Sequence, residues 1–389
     1  MYLYRFFNSL LLLLISSALI SCASRSDIKS EDQTKDIFEI LDLTVLGQKP
    51  KIDAIDKVLL VDSEEKARFL EYYQSNTDIR GHHRIYDYLE ERLGTFSYYG
   101  KTYSANETLE HNSGNCMSLA VLTTAYANLV GIETQYIEET SSPVFFQSAN
   151  LELISNHVKT KLVDPSFEKK DDVLYFFEPG VIIDYFPSRN SISKGNINDK
   201  QFMAMYYQNL AADALQNKEF NNSAWLAIEG LKLAPRRIEI INLLAVIFRH
   251  LEQDAQAESI YLYGLSLKPN DLNLLFNYQV LLTRNARYIE AQRLQNRIDN
   301  AKDPSPFRWV TLGNEHYKNK DYRRALKYYS KAIELAPYIP QGYAGKAKTL
   351  YLLGDQHQAK EALTLALEKV HQPELERLYQ AKLTMLSQH

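Results

Sequence analysis

Hydrophobic and polar positions alternate along this chain in four successive rhythms. A mostly apolar run from Phe6 to Ile20 comes first, after Arg5. It is about 15 residues long, shorter than the roughly 20 that cross a bilayer as a helix. Residues 23–35, "ASRSDIKSEDQTK", carry almost no apolar groups. Such a stretch cannot bury enough surface to offset the entropy of ordering, so a flexible tether is expected there.

From residue 36 to about residue 200 the spacing changes twice. "SEEKARFLEYYQ" and "HHRIYDYLEERLG" carry apolar residues at three- and four-residue intervals, which predicts amphipathic helices with Leu70, Tyr73, Tyr86 and Leu89 in the core. In "HNSGNCMSLAVLTTAYANLVGIE", Leu119, Leu122, Tyr126 and Leu129 recur with helical spacing, so a helix is expected from about Cys116 to Val130, closed by Gly131. Beyond Gly131, "ETQYIEE", "LELISNHVKTKLV" and "DVLYFFEPGVIIDYFP" are rich in β-branched and aromatic residues and read as strands. Helices followed by strands, without alternation, argue an α+β domain over residues 36–200 rather than a doubly wound sheet.

The last rhythm, over residues 204–389, is helical and repetitive. Pro235, Pro269, Pro304 and Pro337 are separated by 34, 35 and 33 residues. In "RWVTLGNEHYKNKDYRRALKYYSKAIELAP", Trp309, Leu312, Gly313, Tyr322, Ala325, Tyr329, Ala332 and Pro337 resemble the signature of the tetratricopeptide repeat. Such helix–turn–helix units bury their apolar faces only against their neighbours. The other copies are looser but in phase, which gives about five repeats, and "PELERLYQAKLTMLSQ" reads as a capping helix. The resemblance implies an all-α solenoid that binds a protein or peptide partner.

Composition narrows the function classes. A net charge of −4 and a pI near 6.2 leave no basic footprint for nucleic acid. The apolar run ends in Leu19-Ile20-Ser21-Cys22, which resembles a bacterial lipoprotein signal. That resemblance implies cleavage of residues 1–22 before a lipidated Cys22, and Ala23 after it implies an outer-membrane anchor facing the periplasm. Of the two cysteines, Cys116 then has no disulfide partner within the chain, and a leftover thiol in an exported protein is either reactive or part of the core.

Cys116 is expected in the first turn of its helix, after the cap-forming "NSGN", where unpaired N–H groups and the helix dipole favour a thiolate. A thiolate needs a base and an orienting acid to run acyl chemistry. "GNC" opening a helix, with His157 in "NHV" and Asp184 in "IIDYFP", resembles the transglutaminase-like branch of the papain-like cysteine enzymes. The resemblance covers roughly residues 60–200 and implies Cys116 as nucleophile, His157 as base and Asp184 as orienting acid. Asp164 competes for the third role. It follows His157 by seven residues, ~23 Å along a continuous strand, too far to reach the ring.

Papain-like proteases place a glutamine six residues before the nucleophile, and here that position holds Glu110. The Cys116 N–H supplies one oxyanion donor, and Tyr98, Tyr99 and Tyr103 are aromatic candidates for the cleft. His82, His83 and His111 form no zinc spacing with Cys116, so no metal or other cofactor is expected. The fold expected is therefore an α+β transglutaminase-like domain followed by a tetratricopeptide solenoid. The activity implied is that of a membrane-anchored cysteine hydrolase, a peptidase or amidase. A crosslinking acyltransferase, or a non-catalytic scaffold built on the repeats, would carry the same sequence features.

Overall fold

The structure, a computed structural model, describes residues 36–98, 101–140, 156–168, 178–185, 192–303, 305–370 and 373–387. The expected signal and tether with Cys22, and also Tyr99, residues 151–155 and 172–177 of the expected strands, and Pro304, lie outside the described residues. No helix among the described residues is long and apolar enough to cross a membrane.

Two short helices, α1 (Ile37–Ile40) and α2 (Ile55–Val58), precede four that frame the first region: α3 (Ser63–Ser75), α4 (Gly81–Arg92), α5 (Ala105–His111) and α6 (Cys116–Val130). Local chemistry sets their ends. The Asp62 carboxylate accepts the N–H groups of Glu64 and Glu65 at the start of α3, and Ser104 and Glu107 form a reciprocal capping box on α5. Helix α6 begins after Asn115, whose side chain accepts the Ser118 N–H, and stops at Gly131 with φ 69°.

The core face of α3 and α4 keeps Leu89 of the expected stripe but is otherwise turned by one residue. Phe69, Ile85, Tyr88 and Leu89 are buried, whereas Leu70, Tyr73 and Tyr86 are half-buried. The reason is polar: the Tyr86 hydroxyl reaches Glu90, and the Tyr73 ring lies under the Arg84 guanidinium. At the centre of the same face sits a charged group, Glu65. It accepts the hydroxyls of Tyr88 at 2.9 Å and Tyr126 at 2.6 Å on one oxygen, and Arg68 and Arg92 on the other.

Four antiparallel strands follow: β1 (Thr134–Thr140), β2 (Asn156–Val163), β3 (Gly180–Ile183) and β4 (Ile192–Ile197), in the order β3-β2-β1-β4. β4 was not foreshadowed. Its sequence, "ISKGNI", has a glycine inside and no run of β-branched residues, and it pairs with β1 across a register shift between Glu138 and Glu139. Val158, Thr160 and Leu162 of β2 are fully buried, and helix α6 packs against this strand.

The remaining chain forms five helix pairs: α7 (Asp199–Gln216) with α8 (Phe220–Leu233), α9 (Ile238–His250) with α10 (Asp254–Leu267), α11 (Leu272–Arg284) with α12 (Tyr288–Asp299), α13 (Pro306–Lys318) with α14 (Tyr322–Leu335), and α15 (Pro340–Leu352) with α16 (Gln356–Lys369). Helix α17 (Pro373–Ser387) packs on the last of them. The turn inside each pair holds one residue with positive φ: Lys218, Glu252, Ala286, Lys320 and Gly354.

The sheet and the array are not separate. The Tyr136 ring of β1 stacks on Phe202 of α7 at 3.9 Å, and the Arg237 guanidinium pairs with Glu138 of β1. Residues 36–53 run along the outer helices of the first two pairs: Trp225 donates to the Gly47 carbonyl, Asn221 to the Gln48 carbonyl and Gln256 to the Ile40 carbonyl. One hydrophobic core extends from Ile37 through the sheet to the fourth helix pair, and the last pair with its cap has its own.

Candidate functional site

The loop that delivers Cys116 is built from polar ties. Ser97 and Ser113 form an isolated bridge, the Asn115 amide donates to Thr102, and Ser118 Oγ accepts the Tyr103 N–H at 2.8 Å. Gly114 admits the close approach this needs, since a Cβ there would lie 2.7 Å from the Ser118 Cβ. The result is a cysteine at the first position of α6, buried at 8% exposure.

The sulfur meets the sheet where a strand stops. Val163 N–H donates to the Glu133 carbonyl, so alternate residues of β2 turn their N–H groups toward β1 or toward β3. Val158 belongs to the set facing β3. However, β3 ends at Ile183, whose partner is Thr160, so β3 offers Val158 no carbonyl. The Val158 N–H instead faces the Cys116 sulfur closely enough to favour negative charge on it. Early termination of β3 thus seats the sulfur against the residue that follows His157.

His157 is buried, and its Nε2 lies 2.8 Å from Asp184 Oδ1. Asp184 is the residue after β3, and its second oxygen, Oδ2, takes the Lys159 ammonium at 3.0 Å. Lys159 also reaches Glu139 Oε1 at 2.9 Å. The family resemblance pointed to His157 and Asp184 but gave no sign of Lys159 or Glu139. The register contains that signal: Lys159 is two residues from His157 on one strand face, and Glu139 lies directly opposite His157.

Charge is distributed unevenly among these groups. Burial alone would raise the Asp184 carboxyl, but hydrogen bonds from His157 and Lys159 and their positive charge hold it below the usual carboxylate range. The thiol goes the other way. Burial pushes Cys116 up to about 11; N–H donation from Val158, Met117 and Cys116 itself opposes this only in part, and the negative charge of Asp184 adds to the rise. Desolvation here works against the helix dipoles that would favour a thiolate, and it favours the thiol.

The other candidates lie apart. Asp164 accepts Ser166 and pairs with Arg80, with His82 3.6 Å away. Glu110 is exposed, Tyr98 packs edge-on against Phe96, and Tyr103 lies over His111. Tyr185 is placed near the sulfur, and its hydroxyl donates to Thr123 of α6. Among the described residues, the group able to offer three ligand atoms to a metal is Glu139, His157 and Asp184, within 4.8 Å of one another. The Lys159 ammonium already stands between its two carboxylates. An open cleft of about 930 Å³ lies between β4 and the second to fourth helix pairs, away from the sulfur. Of the cations that line it, Lys194, Lys268 and Arg308 are each paired with a carboxylate of this chain.

Comparison with known proteins agrees with this division. Residues 68–161 match the transglutaminase-like superfamily, a span that includes Cys116 and His157, and residues 307–338 match the tetratricopeptide repeat. The chain thus holds a transglutaminase-like domain and, behind it, tetratricopeptide repeat structure. DnaJ homolog subfamily C member 7 of Homo sapiens and of Mus musculus are each 41% identical over 58 residues, 15% of this chain. That stretch spans only 11% of the relatives' own length. Among solved structures, Pseudomonas aeruginosa PilF aligns at 20% identity over 49% of this chain and 87% of its own, with TM-score 0.33. MamA of Desulfovibrio magneticus RS-1 aligns at 17% over 44% and 96%, with TM-score 0.29. YrrB, described as a TPR protein with an unusual peptide-binding site, aligns at 14% over 46% and 92%, with TM-score 0.28.

Proposed function

We propose that this chain is a cysteine hydrolase acting on amide bonds, with Cys116 as nucleophile, His157 as base and Asp184 as the acid that orients the imidazole. The observation that carries the reading is the 2.8 Å contact of His157 Nε2 with Asp184, beside a sulfur held at the neighbouring backbone N–H. With Nε2–H directed at the carboxylate, Nδ1 is the nitrogen that takes the thiol proton. The sulfur attacks the amide carbonyl, the Cys116 N–H supports the oxyanion, and the imidazolium returns its proton to the departing amine. Water, or an amine in a crosslinking variant of the reaction, then resolves the thioester. The helical array recruits the protein or peptide that presents the bond.

A second reading has its own support. A buried thiol pushed up to about 11 is a poor nucleophile unless His157 takes its proton, and without that transfer the chain is a scaffold in which the repeats do the binding. The rate of Cys116 alkylation by iodoacetamide against pH separates the two. Transfer to His157 gives a plateau between about pH 6 and 8 that the H157A variant lacks. A rate that climbs steadily toward pH 11 in both proteins rules the hydrolase out.

The same reading places the protein at the periplasmic face of an outer membrane through a lipid on Cys22. The support is the "LISC" sequence after an apolar run. Mass spectrometry of the mature amino terminus should find Cys22 carrying acyl chains; an unmodified residue there removes the anchor.

A further inference from the structure

Beside the His157–Asp184 contact stand a buried and a half-buried charge, Glu139 and Lys159, that the proposed reaction does not use. Glu139 is 7% exposed, and its Oε2 is buried without a hydrogen-bond partner. A carboxylate in such a place is expensive, because its desolvation is only half repaid. Lys159 holds the other oxygen of Glu139 and, on its opposite side, Oδ2 of Asp184. An apolar pair would fill this space at lower cost, so the charges call for a reason in the chemistry.

Counting charge supplies one. Among the described residues, the charged and titratable groups that meet or act on Asp184 include His157 and Lys159 from β2 and Cys116 from α6, with Glu139 of β1 behind Lys159. With a neutral imidazole, Glu139, Asp184 and Lys159 sum to −1. When the imidazole takes the thiol proton, the four groups on the sheet sum to zero. A lysine on Asp184 alone would fix the carboxylate but cancel the charge that stabilises the imidazolium. Glu139 cancels the lysine instead. We infer that Glu139 and Lys159 form a charge-neutral strut that orients the Asp184 carboxylate toward His157 without spending its negative charge. Both are positioning residues, and the inference rests on the triad reading above.

A double-mutant cycle on the full chain tests it, read by the iodoacetamide plateau of Cys116, with folding followed by thermal unfolding. E139Q leaves Lys159 to neutralise Asp184 and should lower the plateau roughly tenfold, as a one-unit loss of imidazole basicity would. K159M leaves two carboxylates facing each other, so one takes a proton, and the acid limb of the profile should move to higher pH. The K159R variant, whose guanidinium can bridge the same two carboxylates, should recover the wild-type limb. The combined E139Q/K159M variant restores the −1 sum and should return to within about threefold of wild type.

A double variant as slow as, or slower than, E139Q alone overturns the strut. So do single variants with wild-type profiles. If H157A matches wild type, the triad and the strut fall together; if H157A abolishes the plateau while E139Q and K159M leave it intact, the strut alone falls. Should K159M fail to fold, E139Q carries the decision, because glutamine keeps the volume and removes only the charge. For that variant the imidazole N–H resonance of His157 gives a second reading. Its hydrogen-bonded signal should remain in E139Q while the plateau drops, and a plateau that does not drop overturns the inference.

Discussion

The sheet region and the helical array solve the burial of polar groups in opposite ways. In the array each pair repeats the same local device, a turn residue with positive φ, at positions 218, 252, 286, 320 and 354, each step being 34 residues. Its core contacts are short in sequence, as when Tyr329 packs so closely that a Cβ on Gly313 or Gly345 would collide with its ring. The sheet region gathers its buried carboxylates into unique clusters with partners far along the chain, as Asp271 of the array does once with Arg308. Glu65 gathers Tyr88, Arg92 and Tyr126, and Asp184 gathers His157 and Lys159. A repeated local solution suits a surface for recognition. A unique, long-range and charged one suits a place where a proton must move.

The strongest test of that contrast is at Glu65, which ties α3, α4 and α6 together beneath the helix that carries Cys116. Its replacement by alanine leaves two tyrosine hydroxyls and two guanidinium groups without their common acceptor. Loss of one partner of a buried charged network costs about 3–5 kcal/mol. Urea unfolding of E65A should show that loss in a transition belonging to the sheet region, monitored by Cys116 accessibility, while the last helix pairs unfold as before. They have a hydrophobic core of their own. If the whole chain shifts together, the shared core running from Ile37 to the fourth pair couples the two regions, and the division drawn above is one of chemistry and not of cooperativity.

What could be foreseen from the sequence follows the same divide. Helix α6 was visible to the residue, from Cys116 to Gly131, because helical periodicity, an N-cap and a C-terminal glycine are all local signals. The repeats were visible because a 34-residue period needs only self-comparison. His157 and Asp184 came from their resemblance in order and context. Their ring-to-carboxylate contact depends on β2 and β3 pairing in one register, which no local pattern sets. Lys159 and Glu139 were illegible for that reason: each looks like an ordinary solvated charge until the register places them around Asp184. The high thiol pKa was missed because burial depth is a property of the packed structure, whereas the helix dipole could be read from the cap. The turned face of α3 and α4 escaped because amphipathic tyrosines fit a core stripe and a polar rim equally well.

The array offers a smaller test, and its expected sign is a gain. At Lys218, Glu252, Ala286 and Lys320 a residue with a Cβ adopts positive φ, while the fifth pair has Gly354 with φ 87°. A left-handed conformation costs a side-chain-bearing residue roughly 1–2 kcal/mol, and glycine gives back about 0.5–1 kcal/mol in lost chain entropy. The A286G substitution should therefore stabilise the array by about 0.5 kcal/mol, seen as a higher urea midpoint with an unchanged slope. The reverse change is a clean control, because a Cβ built on Gly354 meets nothing within 4 Å and any cost of G354A is backbone strain alone. If both substitutions lower the midpoint, the turn is held by something specific to each pair, and the array is less uniform than its 34-residue step implies. If they move it in opposite directions by similar amounts, the repeat is a single local solution used five times, set against the one-off charged cluster of His157, Lys159, Glu139 and Asp184 in the sheet region.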